Sequence, residues 1–219
     1  MVGSEKQKIE TLTRGVHALK KQQWIYHDST AYFPDDNETI SVRNDIQTGN
    51  WRMINDNHSA PDQVITKGVF NAWIDLGKQA ENKNYAYTIV PGISVSDAGK
   101  YNHPVKILAN DSTLQAVWHQ KLNIVEAAFY EPGEVKFGKN IISVSKPVLL
   151  LATENERELT INLANPENKY LSVVVTINRK VQCDNCSWSA EKKQSSFSME
   201  LPAGNEAGKS LSKKLIKKA

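Results

Sequence analysis

The chain has 219 residues and a net charge of +3, with 27 basic residues against 24 acidic ones. Its length allows one large or two small domains, and its 40% hydrophobic and 23% charged residues are typical of a globular protein. The mild charge argues against a nucleic-acid partner, and no stretch approaches the about 20 apolar residues of a membrane span.

The first half of the chain predicts short strands separated by turns. The segment QQWIYHDSTAYF predicts a hairpin around residues 28–29, and TISV and WRMIN are candidate strands around a turn at residues 48–50. The segment APDQVITKGVFNAWIDLG predicts either a short helix after Pro61 or a strand over residues 69–75.

The segment NYAYTIVPGI, residues 84–93, combines two tyrosines, an apolar run and a Pro-Gly turn. On a strand, Tyr85 and Tyr87 share one face, which suits either a sugar-binding aromatic platform or a core position. Because both faces are apolar, we predict a strand that is buried on both sides and closes a first sandwich. The polar segment that follows predicts a short helical turn capped by Ser94 or Ser96.

The second half shows the period of two that is typical of half-buried strands. The segments ELTINLAN, YLSVVVTIN and SFSMEL each place their large apolar residues on one face, and NIISVSKPVLLLATE predicts two short strands or one with a bulge at Pro147. Short strands between turns predict an all-β fold of two antiparallel β-sandwich pieces. We expect domains over residues 1–93 and 106–208, joined by a linker over residues 94–105.

The last eleven residues, 209–219, contain five lysines. We predict a frayed, solvated basic tail, with contact to an acidic polymer as the alternative. Acidic residues at positions 35–36 and 154–158 are available as carboxylate pairs for hydrolysis, but acidic runs at turns are usually solvated, and we predict the same here.

The two cysteines, Cys183 and Cys186, are separated by Asp184 and Asn185, which suit a tight hairpin turn. One such pair provides two of the four ligands that a structural zinc needs. We therefore predict two cysteines facing each other across a turn, disulfide-bonded if the chain is exported, and no metal or cofactor.

One polar loop stands out as a candidate binding site. Asn55, Asn57 and His58 follow a predicted strand, and loops at the edge of a sandwich carry function more often than cores do. We predict that this loop faces a substrate. Four of the five tryptophans lie in apolar runs and are predicted to be core residues, whereas Trp188, beside the cysteine turn, is predicted to be exposed.

Six phrases occur in a characteristic order: WRMIN, WIDLG, NYAYTIVPG, ILANDSTLQAVWH, KPVLLLAT and LTINLANPE. Together they resemble the polysaccharide lyase family of hyaluronate, chondroitin and xanthan lyases, over most of the chain. Their order and spacing carry the resemblance, since no single phrase is specific. Many members have a His-Gly pair after the WID phrase, where this chain has Leu76 and Gly77, so any role of that histidine has no counterpart here.

The resemblance implies three successive layers, namely a helical toroid, a large central β-sandwich and a smaller C-terminal β-sandwich. This chain matches the end of the central sandwich and the C-terminal sandwich. It also implies β-elimination beside a uronic acid, in which a base takes the C5 proton, an acid protonates the leaving oxygen and the carboxylate is neutralised. Family members place an Asn, a His, a Tyr and an Arg for this on the toroid, with a supporting Glu early in the central sandwich. The motifs that carry those residues have no match here, so no catalytic residue is predicted.

The resemblance therefore predicts the non-catalytic C-terminal portion of a polysaccharide lyase, inactive alone and without a cofactor. Its expected partners are an acidic polysaccharide and the upstream helical domain of the same enzyme. The first 15 residues lack the apolar region of a secretory signal, which truncation of an extracellular or periplasmic enzyme would explain. The alternatives are a stand-alone carbohydrate-binding β-sandwich without chemistry and a purely structural module.

Overall fold

The computed structural model describes residues 1–4, 9–20, 22–35, 39–55, 57–165, 167–169 and 171–218. These form two compact units, unit 1 over Met1–Asn102 and unit 2 over His103–Ala219. Both units consist of antiparallel sheets, so the all-β prediction is confirmed. The boundary between the units lies inside the predicted linker.

Unit 1 contains two sheets. The five-stranded sheet has, in spatial order, β2 (Ile9–Glu10), β1 (Val2–Ser4), β4 (Gln22–His27), β5 (Thr30–Pro34) and β8 (Tyr87–Pro91). The three-stranded sheet has β3 (Gly15–Leu19), β6 (Ile40–Gly49) and β7 (Ile65–Ile74). The predicted hairpin at residues 28–29 is confirmed, because Asp28 and Ser29 adopt positive φ between β4 and β5.

The core of unit 1 follows from the alternation of side chains along β4. Ile25 points to one face and packs with Ile40 and Val42 of the three-stranded sheet. Trp24 points to the other face and packs with Phe33 and with Ala98 of the short helix α1 (Val95–Ala98). The five-stranded sheet is thus covered on both faces near its centre.

Of the two capping residues that the sequence allowed, Ser94 and Ser96, the structure has Ser94 as the cap of α1. The Ser94 side chain accepts a hydrogen bond from the backbone N–H of Asp97 at 3.1 Å, which satisfies a donor of the first turn. The predicted linker is therefore ordered in its first half, since Val95 and Ala98 pack into the core of unit 1.

The close approach of β1 to Trp24 predicts a stability effect at Gly3. A Cβ atom at Gly3 would overlap the indole ring of Trp24, which is buried. We expect Gly3→Ala to destabilise unit 1 by about 1–3 kcal/mol, because the ring has no room to move. Urea denaturation followed by tryptophan fluorescence would measure the loss. Gly68→Ala in β7, where a Cβ meets no atom within 4 Å, is the matched control and should be nearly neutral.

The hairpin of β6 and β7 differs from the prediction. Strand β6 continues through the expected turn to Gly49, the WRM residues form a 3-10 turn (Trp51–Met53), and β7 begins at Ile65. Strand β3 pairs only with the first half of β6, from Ile40 to Asn44. The remaining two-stranded part, residues 45–49 and 65–69 with the loop between them, extends beyond the sheet and is called the arm below.

Unit 2 is a sandwich of a seven-stranded and a five-stranded sheet. In spatial order the larger sheet has β17 (Val181–Gln182), β20 (Leu211–Lys217), β15 (Glu158–Ala164), β14 (Val148–Glu154), β11 (Ile124–Phe129), β10 (Leu114–His119) and β9 (Val105–Asn110). The smaller sheet has β12 (Gly133–Phe137), β13 (Asn140–Val144), β16 (Leu171–Ile177), β19 (Gln194–Leu201) and β18 (Ser187–Ser189). A second 3-10 turn covers Gly204–Glu206.

The core of unit 2 lies between these sheets and confirms the predicted alternation. The inward residues of β15, Leu159, Ile161 and Leu163, are fully buried. The apolar faces that the sequence indicated in β16 and β19 are also buried, except that Leu171 at the start of β16 is only partly buried. The segment around Pro147 forms two strands, β13 and β14, which belong to different sheets.

The predicted basic tail is wrong for residues 211–217. They form β20, which pairs with β15 along its whole length and with β17 on its other side. Leu215 is fully buried in the core of unit 2. Three of the five lysines that suggested a frayed end, Lys213, Lys214 and Lys217, lie on this inner strand, while Ala219 lies outside the described residues.

The predicted turn with two cysteines facing each other is confirmed, but it does not join a hairpin, because the strands on its two sides belong to different sheets. Cys183 and Cys186 form a disulfide across the turn that contains Asn185, which has a positive φ of 58°. The bridge lies between β17 of the larger sheet and β18 of the smaller sheet, and both cysteines pack against the core of unit 2.

Candidate functional site

The loop at the tip of the arm, residues 50–64, contains the candidate residues Asn55, Asn57 and His58. Its start is fixed by Asn50, whose Oδ1 accepts a hydrogen bond from the N–H of Met53 at 3.0 Å. The Nδ2 of Asn50 donates to the carbonyl of Asp62 at 3.1 Å and so ties the two ends of the loop together. The carbonyl of Trp51 accepts from the N–H groups of Ile54 and Asn55. The loop is therefore held in shape by its own polar groups.

The three predicted residues lie together in this loop. Oδ1 of Asn55 accepts from the N–H of Asn57 at 3.1 Å, and Oδ1 of Asn57 accepts from the N–H and the hydroxyl of Ser59 at 3.1 and 2.7 Å. The carbonyl of His58 accepts from the guanidinium of Arg52 at 3.3 Å. All three residues are exposed, and Asp56 lies outside the described residues.

Several large apolar side chains of the loop are exposed. Trp51 is 57% exposed, so its predicted core position is wrong. Met53, Ile54 and Val64 are also exposed. Arg52 lies 3.7 Å from the carboxylate of Asp62 and is half exposed.

A second candidate is a groove of about 480 Å³ between the two sheets of unit 1. Its lining includes Trp73 and Phe70 of β7 and Tyr87 and Ile89 of β8, together with Tyr85. Strands β7 and β8 are the edges of their sheets among the described strands, so unpaired backbone groups border the groove.

The groove corrects the prediction that residues 84–93 are buried on both faces. Tyr87 is 55% and Ile89 50% exposed, because they lie on an edge strand and face the open groove, which nothing in the described part of the chain fills. The rings of Tyr85 and Tyr87 stack with centroids 6.4 Å apart. Trp73 is also exposed, whereas Trp24 and Trp118 contact cores and Trp188 is partly exposed, as predicted.

One charged cluster of unit 2 was not predicted. Glu154, expected to be solvated, has a side chain only 12% exposed, and its Oε1 accepts from Arg179 at 2.9 Å and from Lys217 at 2.8 Å. Its Oε2 accepts from Asn140 at 2.7 Å and from Asn123 at 3.2 Å. Asn140 belongs to the smaller sheet, Glu154 and Lys217 belong to the larger sheet, and Arg179 lies in the connection between β16 and β17. The cluster therefore joins the two sheets.

The protonation of Glu154 follows from these neighbours. Desolvation by burial opposes the charged carboxylate, but hydrogen bonds from Lys217 and Asn140, with the charges of Lys217 and Arg179, outweigh it and lower the pKa of Glu154. A carboxylate kept charged in this way holds two cations, which is a structural role and makes it a poor general base.

Other groups offer little for chemistry. His119 accepts a hydrogen bond from the N–H of Leu122 through Nδ1, and His27 stacks on Phe70. The described residues contain no group of three or more His, Cys, Asp or Glu side chains placed to hold a metal ion. Of the helices in the described part of the chain, none has the length and apolar character needed to traverse a bilayer.

Two family models match the chain in succession. The model described as "Polysaccharide lyase family 8, super-sandwich domain" matches residues 1–102, and "Polysaccharide lyase family 8, C-terminal beta-sandwich domain" matches residues 106–173. The matched ranges correspond to unit 1 and to most of unit 2.

Individual relatives agree with these matches. The chain is 35% identical over 158 residues to Chondroitinase-AC of Pedobacter heparinus, which covers 71% of this chain and 22% of that protein. It is 29% identical to Xanthan lyase of a Bacillus species, over 45% of this chain and 11% of that protein. The chain thus spans about a fifth or less of the length of these relatives.

Solved structures show the same fold. A structure of chondroitinase AC lyase with oligosaccharides matches 92% of this chain and 29% of its own chain, with a TM-score of 0.77 and 30% identity. A structure of Paenibacillus xanthan lyase matches all of this chain and 22% of its own, with a TM-score of 0.83. Its identity of 16% supports the fold alone.

Proposed function

Since the chain belongs to polysaccharide lyase family 8, we propose that it acts as the C-terminal part of an enzyme that cleaves a uronic-acid-containing polysaccharide by β-elimination. Chondroitin sulfate and hyaluronan are the substrates that fit best, because relatives are named chondroitinase and hyaluronate lyase. The observation that carries the proposal is the succession of two matched domains, the super-sandwich and the C-terminal sandwich, in one chain.

The open side of unit 1 supports the proposal. Strands β7 and β8 end their sheets at the same groove, and its lining is aromatic and aliphatic. Apolar surface of this kind is stabilised when it is covered, and unpaired strand edges accept further strands. We propose that unit 1 is the end of a larger sandwich whose remaining strands belong to the same enzyme.

The described residues are proposed to play no direct part in the chemistry. β-Elimination requires a base and an acid within hydrogen-bond reach of the substrate and a group that neutralises its carboxylate. His119 and His27 are engaged on strands or in ring stacking, and Glu154 is held between two cations. The proposed role is to support a helical catalytic region and to form one wall of its cleft, with Asn55, Asn57 and His58 directed toward the substrate.

The location of the whole enzyme is part of the same proposal. Polysaccharides such as chondroitin sulfate and hyaluronan lie outside the cell, so we propose that the full-length enzyme is extracellular or periplasmic. The disulfide between Cys183 and Cys186 is consistent with an oxidising compartment.

The proposal predicts that the purified chain does not turn over substrate. We expect no rise in the ultraviolet absorbance of the unsaturated uronate product when the chain alone is incubated with chondroitin sulfate or hyaluronan. A chimera of Pedobacter heparinus Chondroitinase-AC that carries this chain in place of its matched C-terminal region should retain activity. Deletion of that region without replacement should abolish activity. Turnover by the chain alone, or full activity of the deletion, would contradict the proposal.

A second candidate function is a stand-alone carbohydrate-binding module. The exposed Trp51 and the stacked rings of Tyr85 and Tyr87 favour it, since flat aromatic faces suit the C–H faces of sugars. Calorimetric binding to a polysaccharide, together with a chimera that fails to restore activity, would favour this candidate over the first.

A further inference from the structure

We propose that the loop at the tip of the arm is itself a binding site for an acidic saccharide, with Trp51 as the stacking surface and Arg52, Asn55, Asn57 and His58 as hydrogen-bond donors. The class of ligand rests on the proposed function. The inference goes further because it adds Trp51 and Arg52, and because it assigns the site to this chain without the rest of the enzyme.

Three side-chain amide oxygens of the loop accept hydrogen bonds from within the loop. Backbone N–H groups donate to the side-chain oxygens of Asn50, Asn55 and Asn57, so in each case the bonded atom is the oxygen of the amide. The carbonyls of His58 and Asp62 also accept from side chains within the loop. These bonds fix the orientation of the amide groups, because a backbone N–H cannot pair with the NH₂ end.

The exposed amide nitrogens of Asn55 and Asn57 are donors that the loop itself does not use. Within the described residues, no hydrogen bond involves the Nδ2 group of Asn55 or of Asn57, and both residues are exposed. Arg52 is held near the loop by the carbonyl of His58 at 3.3 Å and by Asp62 at 3.7 Å, and half of its side chain remains exposed. Exposed donors beside a cation match a ligand that is rich in acceptors and negatively charged, such as a uronate.

The backbone that carries the aromatic side chain is held in place by hydrogen bonds of the loop. The carbonyl of Trp51 accepts two backbone hydrogen bonds, from Ile54 and Asn55, at 3.1 and 2.9 Å. The indole is 57% exposed on this fixed turn. An indole has only two rotatable side-chain bonds, so it loses little conformational freedom when a flat partner covers it. The donors described above belong to the same loop.

A carboxylate of the loop itself competes with the ligand for the guanidinium of Arg52. Asp62 is the carboxylate among the described residues of the loop, and it is paired with Arg52 in an exposed ion pair. Such a pair contributes little stability, so the carboxylate of a saccharide can replace Asp62 at the guanidinium at small cost.

Isothermal titration of the intact chain with a hyaluronan hexasaccharide, whose charges are carboxylates alone, tests the site. We expect measurable binding that Trp51→Ala weakens by about tenfold. Arg52→Gln should weaken it and also reduce its dependence on salt, because one ion contact is lost. Maltohexaose, a neutral ligand of equal length, should bind much more weakly.

Two control variants separate the site from the folding of the loop. Trp188→Ala removes a partly exposed tryptophan of unit 2, and Met53→Ala removes an exposed side chain from the same turn. Both should leave the affinity within about twofold of the unmodified chain. The site is overturned if the chain does not bind the hexasaccharide, if Trp51→Ala binds as well as the unmodified chain, or if Met53→Ala loses as much affinity as Trp51→Ala.

The outcome is independent of the test of the proposed function. That test measures turnover and the activity of a chimera, whereas this one measures binding by a chain that is expected to have no turnover. Binding without rescue of the chimera would leave the site intact and remove the proposed enzyme role, and rescue without binding would do the reverse.

Discussion

Leu215→Ala is expected to destabilise unit 2 by about 2–5 kcal/mol, the usual cost of removing a fully buried leucine side chain. Leu215 is 0% exposed and lies opposite Leu159 on the neighbouring strand β15. The substitution therefore leaves a cavity between the two sheets. Hydrogen exchange read peptide by peptide during urea denaturation would measure the effect in unit 2 separately from unit 1.

Ile216→Ala is the matched control for this prediction. Ile216 is the next residue of β20 and is 47% exposed on the opposite face, so we expect a loss below about 1 kcal/mol. Equal and negligible effects of the two substitutions would mean that residues 211–217 are a solvated tail in solution. The assignment of β20 to the core of unit 2 would then be wrong.

Glu154→Gln is expected to cost unit 2 about 2–4 kcal/mol. Removing one partner of a buried ion pair typically costs about 3–5 kcal/mol. We expect a smaller loss here, because the side chains of Lys217 and Arg179 are 19% and 25% exposed and can be partly solvated. The neutral amide leaves two cations without a counter-charge at the junction of the sheets. Glu156→Gln, a change of the same kind at an exposed residue two positions away, should cost less than about 0.5 kcal/mol.

The same residue predicts a dependence on pH. The pKa of Glu154 is lower in the folded chain than its ordinary value of 4.5. Its contribution to stability is therefore complete above that ordinary value and is lost as the pH falls through the lowered folded value. Urea denaturation between pH 7 and pH 3 should show a loss of stability in the unmodified chain that is smaller in Glu154→Gln. If the stability of the unmodified chain and of Glu154→Gln changed with pH in the same way, the ion pairs assigned to Glu154 would be wrong.

The sequence predicted the strands of unit 2 well because their burial alternates with the period of the strand. In β15, Leu159, Ile161 and Leu163 alternate with polar residues. Apolar residues in such a pattern are buried whichever sheet the strand joins. The cysteine turn and the cap at Ser94 were predicted for a similar reason, since both depend on residues close in the chain.

The errors concern residues whose environment depends on distant parts of the chain. The lysines of β20 suggested a solvated end, yet Leu215 of this strand is buried and the Lys217 side chain is only 19% exposed, while Lys214 stays exposed. Glu154 was expected in solvent because Arg179 and Lys217, 25 and 63 residues away, are invisible to local reasoning. Trp51 was expected in a core because the cap by Asn50, which ends the strand, was not recognised.

The candidate site was also predicted only in part. Its predicted residues Asn55, Asn57 and His58 were selected because polar loops after strands carry function, and the loop exists. Neither the exposure of Trp51 nor the internal use of the amide oxygens could be predicted. Both depend on the hydrogen bonds that close residues 50–64 into a fixed loop.

By itself, the sequence determined an all-β chain, the faces of its most regular strands, the position of its disulfide turn and its resemblance to polysaccharide lyases, because each of these depends on local spacing or on the order of short segments. The tertiary structure alone decided that the basic C-terminus is an inner strand, that Glu154 joins two sheets and that Tyr85 and Tyr87 line an open groove. These depend on which strands become neighbours, and neighbours in a sheet are selected by burial and pairing over the whole unit rather than by local sequence.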